Sequence, residues 1–207
     1  MSVNNLLFIF PILGYISGSL PFSIWITRYV KGVDVRDAGS RHATTTNTIR
    51  QAGFGWGALV LLLDIAKGFI PVWLTMYIGR GDNILPYIIP LTAAFAVIGH
   101  CWPVFAQFRG GMGLACAGGC IFAIDFIAGL IGLAILIALV LIIHHGARAS
   151  VATGLLLAPV YYFIGRAELV IWAAAGVGLV IAFRFLIDWN RQYRELWLDR
   201  EKPASKK

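Results

Sequence analysis

GLACAGGCIFAIDFIAGLIGLAILIALVLII, from Gly113 to Ile143, decides how this chain folds. A helix crosses a hydrocarbon core with roughly 20 residues. This run is long for one crossing, short for two full ones, and carries Asp125 near its middle. Five further apolar runs surround it: Leu6 to Val30, Trp56 to Ile78, Ile84 to Ala106, Ser150 to Gly165 and Leu169 to Ile187. With 59% of residues hydrophobic and only 13% charged, nearly every stretch between charges prefers lipid, so the chain reads as an all-α, polytopic integral membrane protein. Whether the Gly113 run crosses once or twice sets the side of everything after it.

The basic residues settle that choice, because Lys and Arg collect in cytoplasmic loops. If the run turns at Asp125 and crosses twice, the inner segments hold Arg28, Lys31, Arg36, Arg41 and Arg50, then Arg109, then Arg148, then the basic tail from Arg184 to Lys207. Only Arg80 and Arg166 are left outside, with Lys67 within a span. A single crossing would move Arg148 and the whole basic tail outside. Charge therefore predicts seven transmembrane helices, with the N-terminus outside and the C-terminus inside. The piece from Gly113 to Ile124 is too short to span straight and is expected to sit half-buried against its neighbours.

The first twelve residues hold no Lys or Arg and no small-residue cleavage site follows, so the first helix is expected to stay. Residues 1–187 read as one membrane domain. Residues 188–207 read as a basic amphipathic tail, with Trp189, Tyr193, Leu196 and Trp197 at helical spacing for a place on the inner membrane surface. The net charge of +7 fits this topology and anionic headgroups or substrates, and does not point to nucleic acid. Cys101, Cys116 and Cys120 lack CxxC spacing, which argues against a disulfide framework or a zinc site.

The inner loops carry the polar chemistry. DVRDAGSRHATTTNTIR, from Asp34 to Arg50, gathers Ser40, His42, Thr44, Thr45, Thr46 and Asn47 with three arginines. Short hydroxyl and amide groups beside guanidinium forks suit a phosphate ester, and an ordinary positive-inside loop is the equal alternative. The turn Arg109-Gly110-Gly111-Met112-Gly113 opens a helix and has the makings of an anion nest, although tight helix packing explains such glycines as well. Asp64 and Lys67 lie three apart on one helical face, where they can pair at membrane depth. His100 precedes a proline-broken segment and is as well suited to a structural role as to donating to an oxyanion. His144 and His145 are adjacent, hence on different helix faces, which makes a metal site improbable.

In order along the chain, these segments resemble the acyl-phosphate:glycerol-3-phosphate acyltransferase family of bacterial membranes. The resemblance runs through GSLPFSIWITRYVKGVDVRDAGS from Gly18 to Ser40, then Thr46-Asn47 and Arg50, LLLDIAKGFIPV from Leu61 to Val72, Gly99-His100 with Pro103-Val104-Phe105, and the FRGGMG turn. It implies seven membrane helices in a bacterial inner (plasma) membrane. It implies transfer of a fatty acyl group from acyl phosphate to the 1-hydroxyl of glycerol 3-phosphate, giving lysophosphatidate and phosphate for phospholipid synthesis, without coenzyme A, cofactor or metal. On the same resemblance the reacting centre would fall to Ser40, Asn47 and His100. Thr46, Arg50, Arg109, Gly110, Gly111, Gly113, Ser150 and Asn190 would hold the phosphates, and the acyl chain would leave sideways between helices. Membrane lipids are the expected surroundings and a monomer the expected state.

The chain departs from that family's pattern at three places. Where the family usually reads SGNxGATN, this chain has Ser40-Arg41-His42-Ala43-Thr44-Thr45-Thr46-Asn47. Met112 stands where the phosphate turn usually carries Lys, and Ile187 where a His usually precedes Asn190 by three residues. The alternative to an active enzyme is a non-catalytic paralogue that binds a phosphorylated lipid or metabolite.

Overall fold

A computed structural model describes residues 3–79 and 85–189. Among these residues the regular elements are helices: α1 Val3–Gly18, α2 Phe22–Lys31, α3 Thr45–Ala52, α4 Phe54–Ile78, α5 Leu85–Cys101, α6 Leu114–Ile124, α7 Phe126–Ile143, α8 Gly146–Phe163 and α9 Glu168–Leu186, with short 3-10 turns at Val35–Asp37 and Val104–Ala106. Five stretches are long and apolar enough to cross a membrane: Leu7–Lys31, Phe54–Ile78, Pro86–Ala106, Phe126–Ile143 and Glu168–Leu186. Outward-facing Phe54, Leu62, Ile142 and Phe163 are exposed, as befits side chains whose solvent is lipid. The chain is a multi-pass membrane protein.

The first predicted span is two helices. Gly18 and Pro21 bracket the break, and Pro21 has no N–H with which to continue the ladder. The carbonyl of Leu20 that the break exposes accepts a hydrogen bond from Lys67 Nζ at 2.9 Å, and Lys67 is itself paired with Asp64 at 2.8 Å. A second proline is compensated in the same region. Pro71 lies inside α4 and cannot donate to the carbonyl of Lys67, and Ser17 Oγ of α1 does so instead at 2.8 Å. The buried Asp64–Lys67 pair thus welds α4 to the broken first span.

Two other boundaries move for local reasons. The third run was expected to continue to Ala106, but α5 stops at Cys101, two residues before Pro103. The fifth was expected from Ser150, but α8 begins at Gly146, where the His145 ring accepts from the Arg148 amide at 3.4 Å.

At Asp125 the chain leaves the helix and turns back. Its backbone is extended (φ −149°, ψ 111°), its carboxylate accepts from the Ala128 amide at 3.0 Å to cap α7, and it pairs with Arg166 in the α8–α9 link at 3.1 Å. Gly129 lies against the Phe122 ring, so α6 and α7 form a hairpin. Its arms are unequal: 11 residues make α6 about 16 Å long, and 18 make α7 about 27 Å. The buried face of α6, with Cys116, Gly119 and Cys120, packs on α4 and α5. There Gly68 of α4 abuts the Cys116 carbonyl, and Gly119 the Ile65 carbonyl, at positions where a Cβ would not fit. Around this centre α1 packs on α5, α5 on α9, and α8 on α9 through Gly154 and Gly178, while α7 leans on α8 and buries only Ala128 and Gly129.

Candidate functional site

The first inner loop is built by charge and by one amide. The Asp34 carboxylate accepts from the Arg36 amide and Nε at 2.9 Å each, from Arg36 Nη2 at 2.7 Å and from Arg28 Nη2 at 2.7 Å. The bonds from Arg36 hold the Asp34 pKa well below the usual carboxylate range and raise that of Arg36. Arg36 is buried, and its Nη1 donates to the Ala106 carbonyl at 2.8 Å, which fastens this loop to the segment after α5. Asn47, wholly buried, donates from Nδ2 to the carbonyls of Val35, Ala38 and His42 at 2.7, 3.1 and 3.1 Å. Thr44 caps α3 by accepting from the Asn47 amide at 3.3 Å.

Two residues of this loop differ in what their backbone demands. Thr44 is extended (φ −126°) and supplies the helix cap. Arg41 takes φ +58°, the left-handed region that glycine occupies without penalty, so it carries strain.

The second loop is a packing device. Gly110 and Gly111 press against the backbone of His100 and Ala43, where a Cβ would collide. Three of their backbone groups are matched: Ala43 N–H donates to the Gly110 carbonyl at 3.3 Å, Gly111 N–H to the His100 carbonyl at 3.1 Å, and Arg184 Nε to the Gly111 carbonyl at 3.1 Å. Gly113 (φ +87°) ends the turn and opens α6 without a side-chain cap, which leaves the first amides of α6 without helical partners.

A cavity of about 610 Å³ joins these pieces. Its polar head is lined by Ser40, His42, Thr44, Thr45, Thr46, Arg50, Asp64, His100, Met112, Gly113 and Ser150. From there an apolar limb runs between α6, α7, α8 and α9, past Leu114, Gly118, Leu133, Leu136 and Gly178 to Phe122, Gly129, Tyr161 and Ala174. Two buried nitrogens in the head have no hydrogen-bond partner among the described residues: Arg50 Nη2 and His100 Nδ1, the latter 3.7 Å from Asp64 Oδ1. Unmatched buried polar groups are costly in the free protein and are expected where a ligand completes them. Ser150 Oγ donates to the Gly146 carbonyl at 2.8 Å and keeps its lone pairs for accepting.

Of the residues singled out in the sequence, Ser40, Thr46, Arg50, His100, Gly113 and Ser150 line this cavity. Asn47, Gly110 and Gly111 stand behind its wall and shape the loops that form it, and Arg109 is exposed beyond the rim. Asn190 and the tail beyond it lie outside the described residues. Sequence reading missed the end of α9. Arg184 is buried there, with Nη1 on Asp188 at 3.2 Å and Nη2 on His42 Nδ1 at 3.2 Å, while His42 Nε2 meets Asp188 at 3.0 Å. This arrangement suits a neutral imidazole that accepts from the arginine and donates to the carboxylate. The signal was present as an i, i+4 Arg–Asp pair closing an apolar run, where each ionisable group calls for a partner. Ile187 faces outward, and the imidazole that meets the end of α9 comes from His42 of the first loop.

A model of the glycerol-3-phosphate acyltransferase family matches residues 8–196. A glycerol-3-phosphate acyltransferase of Anaeromyxobacter dehalogenans is 35% identical over 185 residues, covering 87% of this chain and 90% of that protein. Glycerol-3-phosphate acyltransferase 2 of Thermotoga maritima is 46% identical over 123 residues, 59% of this chain, so the match spans 61% of that relative's length. The crystal structure of PlsY (YgiH), an integral membrane glycerol 3-phosphate acyltransferase in its glycerol 3-phosphate form, superposes with a TM-score of 0.78 at 30% identity, covering 89% of this chain and 90% of that one. The lysophosphatidic acid form of the same protein gives 0.76.

Proposed function

The chain belongs to the glycerol-3-phosphate acyltransferase family, and from that premise we propose that it transfers a fatty acyl group from acyl phosphate to the 1-hydroxyl of glycerol 3-phosphate. The observation that carries this reading is a cavity in which a polar head, with an Arg50 donor that has no partner among the described residues, opens into an apolar limb.

In this reading Arg50, with Ser40 and Thr46, holds the phosphate of glycerol 3-phosphate. The free amides at the start of α6, from Gly113 onward, hold the phosphate of the acyl donor, where the helix dipole favours negative charge. His100 faces the reacting centre. The 1-hydroxyl oxygen attacks the acyl carbon and the bond from that carbon to the phosphate oxygen breaks. Inorganic phosphate leaves, and the hydroxyl proton passes to a phosphate oxygen. Because acyl phosphate is already activated, orientation and charge neutralisation supply most of the acceleration. Asn47, Gly110 and Gly111 act as positioning residues that hold the loops, and Arg184, fixed by Asp188, His42 and the Gly111 carbonyl, adds a positive charge behind the phosphate turn.

The membrane arrangement belongs to the same proposal: seven crossings, N-terminus outside, in a bacterial inner membrane, a monomer, with residues 188–207 as a basic tail on the inner surface. The acyl donor enters from lipid between α6 and α7, both of which line the apolar limb. The deciding experiment measures phosphate release from palmitoyl phosphate by the purified protein in lipid, with and without glycerol 3-phosphate. Acceptor-dependent release with formation of lysophosphatidate is the expected result. Tight substrate binding without release would instead mark a non-catalytic member of the family.

A further inference from the structure

We propose that the closed end of the apolar limb, formed by Phe122 and Tyr161, sets which acyl chain lengths this protein uses, with Gly118 as the point where the limb stays open. The inference rests on the acyltransferase reading above and adds to it the specificity of the donor site.

The limb ends against a packed wall. Its outermost lining residues on the four helices are Phe122, Gly129, Tyr161 and Ala174, and past them Ala128, Val170 and Ala173 pack with Tyr161 into a buried plug. Tyr161 is wholly buried, and its hydroxyl donates to the Ala128 carbonyl at 2.6 Å, which pins α8 to the start of α7. The Phe122 ring is held against Gly129 and packs on Phe126 with centroids 5.5 Å apart. The Tyr161 ring cannot swing aside without giving up its bond to Ala128.

Depth follows from helix rise. From Ser150 in the polar head to Tyr161 at the plug is 11 residues of α8, or about 16 Å. A staggered alkyl chain advances about 1.25 Å per carbon from its bond length and tetrahedral angles, so about 13 carbons fit straight between head and plug. A longer chain must bend or leave between α6 and α7, giving up contact with the plug.

Gly118 makes the tube adjustable. It lines the limb on the face of α6 that carries Leu114 and Ile121, and a Cβ built there meets nothing within 4 Å. It lies four residues short of Phe122, about 6 Å, so a bulky side chain pointing into the limb there removes room for about five carbons.

The test measures glycerol 3-phosphate-dependent phosphate release from saturated acyl phosphates of about 8 to 18 carbons for the native protein, Gly118→Leu and Phe122→Ala, each checked for thermal unfolding. We expect Gly118→Leu to lower turnover of the longest donors at least tenfold relative to the shortest and to move the optimum down by about five carbons. Phe122→Ala should move it upward. The two variants act in opposite directions, so either one that folds decides the matter. Turnover with a length profile unchanged in a folded variant overturns the ruler and leaves the acyltransferase intact. No release from any donor by the native protein overturns both.

Discussion

Replacing Arg50 with alanine should weaken use of glycerol 3-phosphate while leaving the fold unharmed, and the structure supplies both halves of that expectation. Arg50 Nη2 is buried and has no partner among the described residues, so its removal breaks no hydrogen bond described for that atom and relieves a donor whose unsatisfied burial costs about 1–3 kcal/mol. The unfolding temperature should therefore hold or rise. Toward a bound phosphate the same atom would make a charge-assisted bond worth about 1.5–3 kcal/mol. At about 1.4 kcal/mol per tenfold, KM for glycerol 3-phosphate should rise by about 10- to 150-fold. Arg50→Lys keeps the charge but not the planar fork and should fall between. The assay is steady-state phosphate release at saturating acyl phosphate over a glycerol 3-phosphate titration, with thermal unfolding in the same medium. Arg109→Ala serves as the contrast, because that side chain is exposed and off the cavity, and KM should stay within about twofold. An unchanged KM in folded Arg50→Ala, or a lower unfolding temperature as its sole effect, would refute the assignment.

Three further outcomes follow from the loops. Met112 lines the cavity at the mouth of α6, so Met112→Lys should lower KM for a phosphate substrate by about tenfold, and an unchanged value in substrate titrations would remove the start of α6 from the phosphate site. Arg41→Gly should raise stability by about 1 kcal/mol in thermal unfolding, since it relieves a left-handed residue, whereas a loss would mean that the guanidinium holds the loop. Asp34→Asn leaves the buried Arg36 without its carboxylate and should cost about 2 kcal/mol at neutral pH. Because the folded pKa of Asp34 is depressed, this contribution is complete above the ordinary value of 3.8 and is lost only as pH falls below it toward the folded value. Unfolding measured from pH 7 to 4 should show a constant gap between native protein and variant, and closure of the gap above pH 5 would contradict the ion-pair assignment.

Apolar periodicity and charge were enough to read the helical architecture and the turn at Asp125, because both depend on local composition alone. The helix ends were less legible. Pro21 and Pro103 stopped helices inside runs that hydropathy treats as continuous, and hydropathy averages over the single missing N–H that ends a ladder. The site was legible by residue type and less so by role. Asn47 looked like a ligand because short amides bind phosphates, yet its Nδ2 serves three backbone carbonyls. The glycines at 110 and 111 looked like an anion cradle, yet both carbonyls and the Gly111 amide have partners within the protein. The contact between His42 and the Arg184–Asp188 pair joins positions 142 residues apart, a distance that no local pattern reports. The apolar limb needed four helices at once, and only the folded chain brings Gly118, Leu136, Tyr161 and Gly178 around one space.

The shortness of α6 bears on how the chain is assembled during synthesis. An 11-residue helix about 16 Å long cannot bridge a hydrocarbon core about 30 Å thick, so it has no stable resting place of its own in the bilayer. It acquires one by laying Cys116 and Cys120 on α4 and α5, which leave the ribosome before it does. The N-terminal helices therefore act as the receptor onto which the hairpin docks, and α8 and α9 then close over it. The cavity comes into being only when the last helix is in place, so a chain arrested before α9 would carry every loop of the polar head and hold no chamber behind it.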